Sequence, residues 1–492
     1  MQRHKISKIL ILLISSSFLG SSSFGESQLL PITGCPPQPQ ESQVPVSLQE
    51  TMERAYMQNA DLDAARAGLR ATDENVSQAN ADWRPSLSVQ GTQQQTQVYP
   101  IEAHGLARRA HNSNTQYTAR IAQNVFNGGA TEANIALQES NVLAGKAGLL
   151  NTEQTTLFTG IQAHTSILAA EANVKYRKES LDFNKKNWER AQARFEVGEG
   201  SRTDVEASKA QYEGAKADLS TALGNLESAK ATYLRQVGSP PGKLAPANVI
   251  LDIPKCVEDA LKVAKTSNPI AIQARYQIEA AEYNVNVQIA GLLPKVDVEG
   301  TAGNSRGGGT HNPGALAHPK QTNLAFLATV NVPIYSQGIP NSKIRQAYQQ
   351  LAQQKVLLVS AQRQVAEVAK IAWDNLIAAR ESVKGFLAQV KAQEIAVEGA
   401  VEEVNVGTKT MIDVLELQQN LINAQINLTQ AQKTLIDAGY QVLQAMGKLT
   451  ACDLRLRVKY YDPDTYYDEY KDAWIQFWPG PDLRYVKDGD QR

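Results

Sequence analysis

The chain is written twice. Moving residues 48–238 forward by 209 positions lays them on residues 257–447 without a gap. Asn59 falls on Asn268, Arg66 on Arg275 and Pro85 on Pro294. Phe126 and Gly129 meet Tyr335 and Gly338, Val197-Gly198 meets Val406-Gly407, Asp204-Val205 meets Asp413-Val414, and Gly238 meets Gly447. A constant offset with little identity between the landmarks indicates one structural unit used twice. The period is far longer than the ~20–50 residues of a solenoid repeat, so two quasi-equivalent halves are expected to pack side by side around an axis.

Bulk properties narrow the classes. A net charge of -1 over 492 residues gives no electrostatic reason to expect nucleic acid or an anionic surface as partner. The stretches 130–240 and 340–447 are rich in Ala and Gln, together with Glu, Lys and Leu, all strong helix formers. A mean hydropathy of -0.35 excludes a multi-helix membrane protein, but not a β-barrel, whose strands are only half apolar. Residues 1–25 read as a signal peptide: Arg3, His4, Lys5 and Lys8 precede the apolar run Ile9–Leu19, and Ser23 and Gly25 suit a cut before Glu26. Residues 26–46 are irregular. An exported protein can form disulfides. Of the three cysteines, Cys35 follows Ile32-Thr33-Gly34, a lipoprotein-like pattern set apart from the apolar run by Glu26 and Pro31. The other reading is a disulfide, Cys256 with Cys452, where the chain ends meet. Both stay open at this stage.

Repeat 1 covers 47–240 and repeat 2 covers 256–448, with a linker at 241–255 and an aromatic, acidic tail at 449–492. A helix over Val46–Ala81 is expected to open repeat 1, with Ser47 and Glu50 as a capping box and Pro85 as its end. Strands follow at 86–96 and 114–125, and again at 295–303 and 322–332. Leu87 and Val89 alternate with Ser86, Ser88 and Gln90; Leu324, Phe326, Ala328 and Val330 share one face; Arg120, Asp297 and Glu299 mark the other as hydrophilic. Strands of this length cross a bilayer when tilted. The alternation equally suits a solvent-exposed hairpin at the end of a helical bundle. His104, His111, His311 and His318 fall in the intervening loops and read as solvated side chains, without the spacing of a metal site.

Long helical hairpins over 129–237 and 338–447 complete each repeat. Val414, Leu417, Leu421, Ala424, Leu428, Ala431, Leu435, Ala438, Val442 and Ala445 are spaced 3-4-3-4, and Val205 to Gln236 repeat the rhythm at the same offset. Val383, Leu387, Val390, Val397, Val401 and Val404 follow it on the descending helix. That period signals an antiparallel coiled coil. Four strands cannot close a barrel, and open edges are not tolerated in lipid. Membrane-spanning strands therefore require oligomers, and three copies supply twelve strands.

The chain resembles the TolC family of outer-membrane channel-tunnels. The likeness rests on the duplicated order of elements, on Asn268-Pro269, Leu293-Pro294 and Val332-Pro333-Ile334-Tyr335 with Gly338, and above all on the turns Val197-Gly198 to Asp204-Val205 and Val406-Gly407 to Asp413-Val414. It implies a mainly α protein with a small β part. Four strands per chain would join a 12-stranded transmembrane barrel, and the coiled coils would form a periplasmic α-barrel. It further implies an outer-membrane exit duct for type I secretion or multidrug efflux. The partners would be its own copies in a homotrimer, a periplasmic adaptor (membrane-fusion) protein, an inner-membrane ABC or proton-driven transporter, and outer-membrane lipid. No cofactor is implied.

By the same resemblance Asp413 and Glu416 ring the periplasmic constriction, Lys409, Thr203 and Asp204 belong to the latch, and Val197, Gly198, Val406 and Gly407 form tips that meet the adaptor. Val404 stands where a gate tyrosine can occur, and Lys409 carries charge without an arginine's bidentate fork. From the residues alone, Asp204 and Asp413 read equally well as first-turn acids that suit the helix dipole. No nucleophile motif, phosphate-binding glycine loop or zinc spacing is present, so catalysis is not expected. The competing function is a periplasmic coiled-coil adaptor or structural protein without a pore.

Overall fold

The computed structural model describes residues 45–98, 110–247, 254, 256–309, 320–406 and 408–474. The signal peptide, Cys35, the loops carrying His104, His311 and His318, and Gly407 lie outside the described residues, as does the tail from 475 on. His111 is described only in its backbone.

Each repeat opens on two helices rather than one. α1 (Leu48–Gln58) and α2 (Ala60–Asn80) are separated by Asn59, which takes an extended conformation (φ -74°, ψ 124°). This corrects the single helix expected over Val46–Ala81. The cause is Asn59 itself: its side-chain oxygen accepts from the Leu62 N–H at 3.0 Å, so the chain stops and restarts on an N-cap. α5 (Val257–Ser267) and α6 (Pro269–Ala290) repeat the break at Asn268, with Pro269 at the first helical position.

The strands β1 (Ser86–Val98), β2 (Ala110–Asn127), β3 (Lys295–Gly309) and β4 (Lys320–Asn331) form one antiparallel sheet in sequence order. Leu87 pairs with Ile121, Gly300 with both Ile121 and Phe326, and Ala302 with Leu324. Strand alternation therefore gathers Leu87, Val89, Tyr117, Ile121, Leu324, Phe326 and Val330 on one face, all solvent-exposed in the single chain. Ser88, Arg120, Asp297 and Glu299 occupy the other, where Arg120 and Glu299 pair across β2 and β3 at 2.7 Å and Asn124 donates to Asp297 at 2.8 Å. A soluble sandwich would cover the apolar face; nothing among the described residues does. β1 and β4 are left as edges.

α3 (Ala130–Glu196) and α7 (Ile339–Asn405) have 67 residues each, roughly 100 Å at the helical rise. They return through α4 (Arg202–Val237) and α8 (Met411–Ala445). Val414, Leu421, Ala424, Ala431, Ala438, Val442 and Ala445 of the α8 seam are buried, with Val390 of α7 against Leu421 and Ala424. The α3–α4 seam is more polar: Ser180, Asn184, Asn187 and Ser208 are buried there, and Trp188 stacks on Tyr212 at 5.4 Å. Leu387 and Val401 depart from the expected seam and stay exposed. A helix turning every ~3.6 residues drifts about 20° per heptad from a 3.5 repeat, and Ala400 takes the buried position instead.

The largest core joins α1, α2 and α3 to the start of the tail through Leu62, Leu157, Ile161, Tyr440, Leu449 and Leu456. The tail then follows α1 and α2 and forms α9 (Asp464–Tyr470). Cys256 and Cys452 are both free, so the bridge expected between them is not formed. Cys256 stands just before α5, which packs on α7. Cys452 sits on a turn held to repeat 1, where the Ala451 N–H donates to Glu153 at 2.7 Å. No helix among the described residues is long and apolar enough to cross a membrane.

Candidate functional site

The two helix-turn tips carry the predicted residues. α3 ends at Glu196 with Val197 as its C-cap, and Gly198 takes the left-handed conformation (φ 83°) that lets the chain reverse at little steric cost. The Glu199 N–H then reaches back to the Arg194 carbonyl at 2.9 Å. The second tip does likewise, the Thr408 N–H donating to the Glu403 carbonyl at 2.9 Å. Val197 and Val406 are exposed at 71% and 75%, apolar side chains presented outward on both tips.

Both returning helices start on a capping box. Ser201 accepts from the Asp204 N–H at 3.1 Å, and Asp204 accepts from the Ser201 N–H at 3.3 Å. Thr410 donates its hydroxyl to Asp413 at 2.7 Å and its N–H at 2.9 Å. The sequence contained this signal as Ser/Thr-x-x-Asp, and it identifies Ser201 and Thr410 as tip residues alongside the acids. Thr203 lies exposed one turn-position before Asp204 and plays no part in the cap.

The electrostatics of the second tip are local. The Thr410 hydrogen bonds, with Lys409 adding a smaller attraction, hold the Asp413 carboxyl below the usual aspartate range. Lys409 pairs with Glu403 at 2.8 Å, and that bond, with Asp413 contributing, raises its pKa above the ordinary lysine value. Glu403 is a partner that sequence spacing did not reveal, because the turn has to form before residues six apart meet. Glu416 is exposed on α8, one turn beyond Asp413. Asp413 and Glu416 thus lie on neighbouring positions of one helix face near the tip. Among the described residues there is no cluster able to hold a metal ion.

A family model described as "Outer membrane efflux protein" matches residues 51–238 and again 260–448. The chain belongs to the outer membrane efflux protein family. The double match falls on the two repeats. The chain is 33% identical over 437 residues to the outer membrane efflux protein BepC of Brucella suis biovar 1 (strain 1330), covering 87% of this chain and 91% of that protein. It is 25% identical over 461 residues to the outer membrane protein TolC of Escherichia coli (strain K12), covering 91% and 88%. Among solved structures, the Campylobacter jejuni CmeC outer membrane channel superposes with a TM-score of 0.70 at 15% identity, covering 86% of this chain and 89% of that one.

Membership in the family decides between the two readings of the sheet. The efflux family's strands are an outer-membrane element, so the uncovered apolar face meets lipid and the Arg120–Glu299 face meets water. The long helices then extend into the periplasm, and the protein is an exit duct of the outer membrane. The alternative of an adaptor without a pore is set aside.

Proposed function

We propose that three copies of this chain form the passive outer-membrane duct of a tripartite export system. A periplasmic adaptor engages the tips at Val197, Gly198, Val406 and Gly407, and an inner-membrane ABC or proton-driven transporter supplies the energy. The observation that carries the trimer is the sheet: four strands with an apolar face, a polar ion-paired face and two open edges. Such a sheet is stable in lipid only when closed by further copies, and twelve strands make an ordinary membrane barrel. α7 supports the same reading, since Val356, Ile371, Leu387 and Ile395 remain exposed for a neighbouring copy.

In the trimer, Asp413 and Glu416 become six carboxylates around one axis, a ring that attracts cations and repels anions. Lys409 with Glu403, and the capping boxes of Asp204 and Asp413, keep the tips rigid so that the ring has a defined radius. The duct performs no chemistry of its own. Type I secretion and multidrug efflux use the same architecture, with cargo chosen by the transporter and adaptor.

Planar-bilayer conductance of the mature trimer tests this. Discrete cation-selective steps, reduced by millimolar divalent cations, are the expected result. In Asp413→Asn/Glu416→Gln the conductance should rise and divalent block should weaken. Unchanged conductance and block in that variant would remove the acidic ring from the proposal. A soluble monomer that yields no steps would remove the barrel.

A further inference from the structure

The tail beyond α8 runs beside α1 and α2 in the same direction as their chain. The Arg457 N–H donates to Glu53 at 2.9 Å, the Tyr461 N–H to the Tyr56 hydroxyl at 3.0 Å, and the Tyr466 hydroxyl to Glu74 at 2.6 Å. Asn80 then donates to the Lys471 carbonyl at 3.0 Å, and Arg84 donates to the Ala473 carbonyl. Each step along the tail matches a step along repeat 1, and the last contact is made two residues before β1 begins at Ser86. By Ala473 the strap has therefore reached the periplasmic rim of the sheet.

Arg84 and Trp474 meet there, with Trp83 next to Arg84 in the chain. The Arg84 guanidinium lies 5.3 Å from the centre of the Trp474 ring. Trp83 precedes it, tied to the foot of β2 by the Gln123 amide donating to its carbonyl at 3.0 Å. Trp474 is 66% exposed and Trp83 44%, beside an arginine with no carboxylate partner among the described residues. Indole rings settle at the headgroup level of a bilayer, where the apolar ring and the N–H are both accommodated. A guanidinium is the side chain best matched to a phosphate.

We propose that Trp83, Arg84 and Trp474 form a phospholipid-headgroup anchor at the periplasmic rim, which seats the C-terminal strap in the membrane interface. This rests on the reading of the sheet as membrane-spanning. The strap then ties the membrane surface to the core at Leu449 and Leu456, and so fixes the height of the helical tunnel relative to the bilayer.

The experiment compares the wild-type trimer with Trp474→Phe in proteoliposomes, using phospholipid brominated near the headgroup as membrane quencher and acrylamide as aqueous quencher. Flotation on a density gradient shows insertion independently. With five tryptophans in the chain, the emission quenched by bromolipid should fall by about a fifth or more in Trp474→Phe, while the acrylamide-quenched emission stays unchanged. In Arg84→Gln the bromolipid-quenched share should fall and the acrylamide-quenched share rise, as the ring loses its seat. Loss from the acrylamide-quenched emission in Trp474→Phe would place the ring in water and overturn the anchor. Loss from neither would place it under a neighbouring copy and overturn it equally. A trimer that fails to float would overturn the membrane reading of the sheet, and the anchor with it.

Discussion

The Lys409 ammonium lies 2.8 Å from the Glu403 carboxylate, which ties the residue before the α8 cap to the last turns of α7. Lys409 also feels Asp413. The pair therefore competes with the acidic ring for one positive charge. In Glu403→Gln, Lys409 should turn toward Asp413 and offset part of the ring's charge, raising the divalent concentration needed for half-block several-fold. Lys409→Gln should lower it. Bilayer titrations with a divalent cation measure both, and equal half-block in the two variants would show that Lys409 does not act on the ring.

His164 is fully buried between Thr51 and the chain at Ala245. Its Nδ1 lies 2.8 Å from the Thr51 hydroxyl and its Nε2 lies 3.0 Å from the Ala245 carbonyl, and the Tyr233 hydroxyl lies 3.2 Å from Thr51. Burial pushes its pKa below the ordinary histidine value, the Ala245 bond opposing. The unfolded chain then takes up a proton before the folded one does. His164 contributes full stability above the ordinary value of about 6.5, and loses it as pH falls through that value. Thermal midpoints at one scan rate should drop between neutral pH and mildly acid pH, and His164→Gln should flatten that slope. An unchanged slope in the variant would assign the pH dependence to other groups.

Asp73 works with the opposite sign. It is buried on α2, and neither carboxylate oxygen has a hydrogen-bond partner among the described residues. Burial raises its pKa to about 6, with the nearby Lys146 opposing and Asp464 and Glu74 adding to it. Lys146 is itself engaged by Asp464 of α9. The folded protein binds this proton more tightly than the unfolded chain, so the group costs stability above pH 6 and relieves that cost as pH falls from about 6 toward 3.8. Asp73→Asn should therefore raise the thermal midpoint by a few degrees at pH 7.5 and by less at pH 5, where the folded carboxyl is protonated while the unfolded one is still ionised. A variant less stable than the wild type at both values would mean that the carboxylate is paired.

What the sequence made legible followed from short periods and fixed offsets. Leu324, Phe326 and Val330 declare a strand face because side chains alternate every two residues, and the α8 seam declares itself by its 3-4 rhythm. Asn59 is visible as a landmark, but not as a break, because Met57, Gln58, Ala60 and Leu62 around it favour helix. The Lys409–Glu403 pair and the path of the strap depend on contacts that exist only once turns have formed and distant segments have docked: Arg84 and Ala473 are far apart in sequence. Leu387 was misplaced because a strict heptad reading ignores the drift of a nearly straight helix.

The landmarks that first revealed the repeat are the two halves of one joint. Asn59 donates to the Gln236 carbonyl at 2.8 Å, and Asn268 to the Ala445 carbonyl at 2.9 Å. Each asparagine thus caps its own helix and the end of the returning helix at once. Beside them Gly238 and Gly447 take positive φ, 83° and 75°. A Cβ on Gly238 would meet the Gln58 carbonyl oxygen at 2.8 Å, and one on Gly447 would clash with the Ser267 carbonyl oxygen. In both repeats the backbone of the returning helix is pressed onto the residue before the break, which is why Asn and Gly recur at the same offset. Asn268→Ala should cost roughly 2–4 kcal/mol, from a lost cap and a buried carbonyl left without its partner. Gly447→Ala should cost at least as much, since both the backbone conformation and the close contact oppose it. Hydrogen exchange at the end of α8 reads out both variants, and faster exchange confined to that end is the expected pattern. Protection equal to wild type in both would show that the joint is not what holds the two helices together.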